Sequence, residues 1–277
     1  MEKGRVAYSE SLHSLDWGVY HGEFDKKTTE PMETERASTQ ADAFRRDGPL
    51  LRQRKVPHLL ACSQSVLTRP SDWGEHVLQT GYWFLKSTDH DWTPSRELVE
   101  FISSGEPPIY LGFGSLPHRN PDLITQTLVE GVLASGNRAV LAKGWGNLGA
   151  LSLPDDILPI DSVPHDWLFP QMKLLVHHGG AGTSSTGFKC GIPSIAVPFF
   201  ADQFFWARRM VELGVGPEFI PAKQLDSAKL ESAIKTVEAN PQIRRNATAL
   251  GEKIRAENGC IEAVAMIEEF IKNRAYK

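Results

Sequence analysis

The 277-residue sequence predicts an α/β fold built on a parallel sheet. Two observations carry this. After Pro108, short apolar runs alternate with helical stretches in the order of repeated strand-crossover-strand units. The content of 41% apolar and 9% aromatic residues is enough to bury at least one full-sized core.

Along the chain, residues 1–50 are polar, charged and turn-forming, without a sustained period of 2 or 3.6, and are expected to hold little packed structure. At Val56 the texture changes. VPHLLACS (56–63) reads as a strand, a proline-containing turn follows, and HVLQTGYWF (76–84) reads as a second extended segment. Thr93-Pro94-Ser95 opens an amphipathic helix, ELVEFISSG, closed by Gly105 and two prolines. Six strands follow: IYLGFG (109–114), RAVLAKG (138–144), DILPI (156–160), KLLVHH (173–178), PSIAVP (193–198) and GPEFI (216–220). Between them lie helices near 123–135, 166–171, 182–190 and 204–213, and three more helices fill the last quarter.

The formal charge of −4, spread without long runs, offers no electrostatic footprint for nucleic acid. Cys62, Cys190 and Cys260 are an odd number without paired spacing, so neither a disulfide framework nor a zinc cluster is indicated. With no signal-like start and no run of ~20 apolar residues, a cytoplasmic setting is expected.

In an open parallel sheet, ligands bind beyond the carboxyl ends of the strands. The unusual residues of this sequence gather there: Gly112-Phe113-Gly114-Ser115, Lys143-Gly144-Trp145-Gly146, His177-His178-Gly179-Gly180-Ala181-Gly182-Thr183, and Ala201-Asp202-Gln203. In HHGGAGTSS, small residues let backbone approach a ligand, while the following helix aims free N–H groups and its positive end outward. That suits a phosphate. Thr183 adds a hydroxyl donor, and His178 would offset charge on a departing diphosphate. Taken singly, either histidine reads as a satisfied core residue. Asp202 and Gln203 supply acceptors and an amide donor for adjacent sugar hydroxyls, or an N-cap and first-turn residue, or both. Trp145 and Trp167 suit stacking on a base or filling a core equally, and Ser115 is either a second phosphate contact or an ordinary cap.

Other chemistries fit less well. Gly180-Ala181-Gly182 begins a dinucleotide fingerprint, but position 185 is serine and the match comes at the fourth strand instead of the first. Asp89-His90-Asp91 has metal-ligand spacing but sits in a linker, where a solvated turn accounts for it.

Together these residues resemble the donor domain of family 1 glycosyltransferases, above all the sterol 3β-glucosyltransferase group and its bacterial antibiotic-glycosylating relatives. The resemblance is carried by PPIYLGFGS, SVPHDWLFPQMKLLVHHGGAGTSS, CGIPSIAVPFFADQFFWARRMVELGVGP and VLTRPSDWGEHVLQTGYWFL, and runs from about Val56 to the C-terminus. It implies the C-terminal half of a GT-B fold, a doubly wound Rossmann-like sheet that binds UDP-glucose without a metal or other cofactor. It implies that His178, Gly180, Gly182 and Thr183 meet the diphosphate, with Gly114 and Ser115 lining its side. Asp202 and Gln203 would hold the sugar, and Val163, Pro164 and His165 would lie in the nucleobase loop. Where plant members carry a base-stacking tryptophan and a ribose-gripping glutamate, this chain has Ser162 and Thr186.

The same resemblance divides the chain into residues 1–55, a remnant; 56–107, the end of an acceptor domain and a linker; and 108–277, the donor domain. The expected reaction is inverting transfer of a hexose to a sterol or similar hydrophobic alcohol. No catalytic base is identified, since neither His13 nor His21 stands in a matching motif. The alternative is a non-catalytic UDP-sugar-binding subunit that needs a partner acceptor domain. A lipid acceptor also implies peripheral membrane contact.

Overall fold

A parallel strand is covered on both faces, so its apolar residues must divide between two cores. The computed structural model describes residues 57–84, 92–114, 121–144 and 152–274, and divides into two units, 1–80 with 261–277 and 81–260. The expectation for residues 1–50 lies outside the described residues.

In the first unit, β1 (His58–Leu60) and β2 (Val77–Gln79) pair in parallel with His58 opposite Val77. Their connection is tied by Arg69, whose guanidinium donates to the carbonyls of Trp73 and Gly74 at 2.8 Å each. Both strands are shorter than their apolar runs. Gly81, at φ 89, adopts a backbone conformation that no strand continues.

The second unit holds one five-stranded sheet: β3 (Ile109–Gly112), β4 (Ala139–Ala142), β5 (Ile157–Ile160), β6 (Leu174–His177) and β7 (Ser194–Ala196). The order is β5-β4-β3-β6-β7, and every neighbouring pair is parallel. The chain lays down the central strand, builds outward to β5, then returns to the other side of β3 for β6 and β7. That reversal makes the sheet doubly wound and opens a crevice between the ends of β3 and β6.

Side-chain alternation divides the two cores. Ile109 and Leu111 of β3 and Leu174 and Val176 of β6 join one cluster, which is capped by α2 (Pro121–Ala134) and α6 (Ser227–Ala239). Tyr110, Val140 and Leu175 face the other way, toward Leu98 of α1 (Arg96–Ser103) and Leu168 of α3 (His165–Leu168). Local chemistry sets the ends. Ser95 caps α1 by accepting from the Leu98 N–H at 3.2 Å. α4 (Ala181–Cys190) stops at Gly191, whose φ of 71 is the left-handed cap that favours glycine. α5 (Gln203–Glu212), α7 (Pro241–Arg255) and α8 (Gly259–Arg274) complete the described helices. None of the described helices is long and apolar enough to cross a membrane.

The expected sixth strand is not one. The 216–220 segment runs beside β7, where the Ile220 N–H donates to the Ala196 carbonyl at 3.0 Å, but Pro217 has no N–H and regular pairing never starts. The helix expected over 166–171 is a single α-turn continued as a 3₁₀ turn, Phe169–Gln171, with Pro170 inside it.

Candidate functional site

The crevice is walled by the residues that leave β3 and β6 side by side. Gly112 pairs with His177 in the ladder, so the turns that follow emerge together. Gly114 lies at φ 63, and a Cβ there would come within 3.2 Å of the His178 ring. The loop after β4 joins them, since a Cβ on Gly144 would stand 2.3 Å from the Gly114 carbonyl oxygen. The β3 and β4 turns thus approach backbone to backbone, and the His178 ring of the β6 turn packs close to Gly114, an arrangement that side chains at positions 114 and 144 would crowd.

His177 and His178 play opposite parts. His177 is fully buried, and its Nδ1 accepts from the Gly179 N–H at 3.1 Å, which leaves the ring proton on Nε2. Burial, reinforced by neighbouring His178 and His165, pushes its pKa down to about 3, so it is a neutral core histidine. Nε2 has no hydrogen-bond partner among the described residues. His178 is half-buried, and its ring covers Gly180, where a Cβ would sit 2.3 Å from Nε2.

Gly180 is the N-cap of α4 and supplies no side-chain cap, so the first N–H groups of the helix are left to solvent or a ligand. Ser184, Ser185 and Thr186 turn their hydroxyls back onto the carbonyls of Gly180 and Gly182. Gly182 is exposed, and a Cβ there would meet nothing within 4 Å. Packing therefore does not demand glycine at 182, and the open space there would let a ligand approach the backbone closely.

A cavity of about 340 Å³ opens beside this turn and is lined by Gly114, Lys143, Asp161, Val163, His165 and Thr183, among others. That volume is in the range of small-molecule sites, roughly 300–1,000 Å³. Lys143 and Asp161 stand at the ends of β4 and β5 and form an ion pair at 3.2 Å. The pair is largely exposed and contributes little to stability, so either partner is free to exchange for a ligand. Tyr110 also lines the cavity and reaches His165 Nε2 at 3.2 Å. Burial lowers the pKa of His165, with Asp166 opposing and His178 assisting, so its ring is neutral at physiological pH.

At the end of β7, Asp202 is the exposed N-cap residue of α5, but its carboxylate accepts from the Trp206 indole N–H at 3.2 Å instead of capping the helix. Gln203 is 4% exposed, and its Oε1 accepts from the N–H groups of Phe199 at 2.8 Å and Phe200 at 3.3 Å. That leaves its Nε2 for other partners. Ala201, at φ 53, is the one non-glycine residue with positive φ among those described, and strain of this kind gathers at ligand-facing turns.

The structure thus brings Gly114, Val163, His165 and Thr183 onto one cavity, with His178, Gly180 and Gly182 beside it. Pro164 is the N-cap of α3 and shapes the Val163–His165 turn. Asp202 and Gln203 stand at the β7 end and do not line the cavity. Ser115 and Trp145 lie outside the described residues. Trp167 packs edge-on against Trp92 at 5.1 Å and belongs to the second core. Sequence reasoning placed Lys143 among the strand-end residues without giving it a role, and missed Asp161 and Tyr110 as cavity residues. Asp161, directly after β5, could have been found by the same strand-end rule, whereas Tyr110 hides inside an apolar strand.

Residues 142–270 match the erythromycin biosynthesis protein CIII-like, C-terminal domain family. Over 210 residues the chain is 40% identical to sterol 3-beta-glucosyltransferase UGT80A2 of Arabidopsis thaliana, a match that covers 76% of this chain and 33% of that protein. The chain therefore spans about a third of the length of this relative. Among solved structures, the glycotransferase of kitacinnamycin aligns with a TM-score of 0.63 at 21% identity, covering 83% of this chain and 62% of that one. Spinosyn rhamnosyltransferase SpnG complexed with thymidine diphosphate aligns with a TM-score of 0.57 at 20% identity, covering 76% and 56%. These neighbours are GT-B glycosyltransferases, and the doubly wound sheet is the C-terminal half of that fold.

Proposed function

We propose that this chain binds a UDP-sugar in the crevice between β3 and β6 and serves transfer of a hexose, glucose, to a sterol or similar hydrophobic alcohol, a reading supported by the match of residues 142–270 to the erythromycin biosynthesis protein CIII-like C-terminal domain. The observation that carries the reading is Gly182: an exposed glycine in the first turn of α4, needed by no packing contact, beside a cavity of about 340 Å³. Similarity to the sterol 3-beta-glucosyltransferase of Arabidopsis supports the choice of donor and acceptor. Residues 108–277 are the donor-binding portion in this reading, and 56–107 the end of the acceptor half with its linker.

The chemistry is a single in-line displacement. An acceptor oxygen forms a bond to the anomeric carbon as the bond from that carbon to the β-phosphate oxygen breaks, with inversion. The departing diphosphate meets the N–H groups of Gly182 and Thr183, the Thr183 hydroxyl and His178. Donors aimed at a developing oxyanion contribute about 3–4 kcal/mol each when one is removed. Ser115 and Gly114 take the opposite side of the diphosphate, Val163, Pro164 and His165 the base, Trp145 a stacking face, and Asp202 with Gln203 the sugar. No metal or other cofactor enters this scheme.

No group among the described site residues is assigned as the base that deprotonates the acceptor. That observation favours a second reading, in which the chain holds the UDP-sugar and turns over only with a partner acceptor domain. Calorimetric titration with UDP, followed by transfer and hydrolysis assays of UDP-glucose with and without sterol, tests both. Saturable binding with sterol-dependent turnover is the outcome expected of the first reading, binding without turnover that of the second, and no binding rejects both.

A further inference from the structure

One interaction in the cavity has no part in the scheme above. Tyr110 and Gly112 lie two apart on β3 and so face the same side of the strand. A Cβ on Gly112 would fall 2.2 Å from the Tyr110 hydroxyl oxygen, so the phenol lies along the strand over Gly112. Tyr110 is 3% exposed, yet its hydroxyl reaches His165 Nε2 at 3.2 Å at the cavity wall. The imidazole is fixed as well. It stacks on Phe169 with centroids 4.4 Å apart and planes at 16°, and Tyr110 packs edge-on to both rings.

A neutral imidazole carries one N–H and one bare nitrogen. A phenol hydroxyl is the stronger donor of this pair and an imidazole nitrogen the stronger acceptor, so Tyr110 donates to Nε2 and the ring proton resides on Nδ1. Burial raises the phenol pKa and lowers that of the imidazole, which keeps both groups neutral across physiological pH. Among the described residues Nδ1 has no hydrogen-bond partner. The Thr183 end of the cavity adjoins the α4 N-terminus, and the His165 end is lined by Val163 and Leu168, a setting suited to a nucleoside and not to phosphate.

We propose that Tyr110 is a positioning residue of the nucleotide site: its hydroxyl holds His165 in the Nδ1–H form, making the ring a hydrogen-bond donor to an acceptor oxygen of the nucleoside. The inference rests on the UDP-sugar reading and adds to it the residue that sets the polarity of the nucleoside contact.

The test combines tautomer detection with two ligands. In protein labelled with ¹⁵N-histidine, the His165 signals, assigned by their loss in His165→Phe, are expected to show protonated Nδ1 and bare Nε2. Tyr110→Phe keeps the ring and removes the hydroxyl, and is expected to release that preference and weaken UDP about tenfold while leaving pyrophosphate affinity unchanged. His165→Phe keeps the stack on Phe169 and is expected to show the same selective loss, so the test survives if Tyr110→Phe fails to fold. Protonated Nε2 in the unsubstituted protein, unchanged UDP affinity, or equal loss of UDP and pyrophosphate would each overturn the inference alone. Failure of the unsubstituted protein to bind UDP overturns it together with the reading beneath it.

Discussion

At the residue scale, the glycines of the α4 turn do different work, and substitution separates their roles. At Gly180 an added methyl collides with the His178 ring, so Gly180→Ala displaces the histidine. At Gly182 the same methyl meets open space in the first turn of a helix, where alanine outranks glycine. Gly182→Ala is therefore expected to raise stability by about 0.5–1 kcal/mol while lowering UDP affinity about tenfold. Denaturant unfolding beside calorimetric titration checks the pair of effects, and a variant that loses stability or keeps full affinity contradicts this role. His177 makes a second prediction. Its folded pKa of about 3 lies below the usual value near 6.5, so between these limits the unfolded chain binds the extra proton. Stability from this group is complete above about pH 6.5 and is lost as pH falls toward 3, by at most about 1.4 kcal/mol per pH unit. Urea midpoints at pH 7 and pH 5 should fall less in His177→Met than in the unsubstituted protein.

The glycine turn was readable because a run of small residues between an apolar strand and a helix lets backbone come close to a ligand, at a conformational cost that an ordinary connection avoids. His178 was singled out from the sequence, but which of the two histidines is sealed in the core was not readable from the residues alone. Burial of His177 and half-burial of His178 follow from which face of the chain meets the core at the end of β6, and that depends on partners distant in sequence. Tyr110 was illegible for a related reason. Its apolar neighbours mark a buried strand, and only the space above Gly112 turns its hydroxyl to use.

At the element scale, the core strands after Pro108 stood out because parallel strands are continuous apolar runs bounded by turn residues. Their ends were overestimated, since hydrogen-bonded pairing stops where Gly112, Ala142 and His177 turn into the site loops. The 216–220 segment shows the same overestimate in full: apolar residues with strand-like texture lie along an edge, but Pro217 prevents a ladder. α4 matters most among the helices, because its N-terminus faces the crevice and its C-terminus fixes its length. Gly191 closes it at φ 71, and a Cβ there would stand 3.2 Å from the Thr248 Cα. Gly191→Ala is expected to cost about 1–2 kcal/mol, read by thermal unfolding, with the UDP affinity of the folded fraction retained. Loss of affinity in a folded Gly191→Ala protein would show that the two ends of α4 are coupled.

At the scale of the whole molecule, strand order places the chemistry. Sheet order β5-β4-β3-β6-β7 reverses between β3 and β6, and the turns that carry Gly114 and Gly179–Gly182 leave from those strands. The resemblance carried by the motifs already implied a doubly wound sheet, though not its strand order. What it did not show is that Asp202 and Gln203 stand apart from the cavity lining, with Gln203 holding its own turn through Phe199 and Phe200. The proposed scheme also needs no divalent cation, so UDP affinity is expected to be the same in EDTA and in millimolar Mg²⁺. A large gain with Mg²⁺ would mean that the metal, and not the α4 turn, carries the diphosphate charge.

The central claim is that backbone N–H groups at Gly182 and Thr183 hold two phosphoryl groups, and paired calorimetric titrations with UDP and with uridine test it most directly. Charge-assisted hydrogen bonds contribute about 1.5–3 kcal/mol each, so UDP should bind at least about a hundredfold tighter than the nucleoside. Equal affinity for the two, or no saturable heat from UDP, would contradict the account.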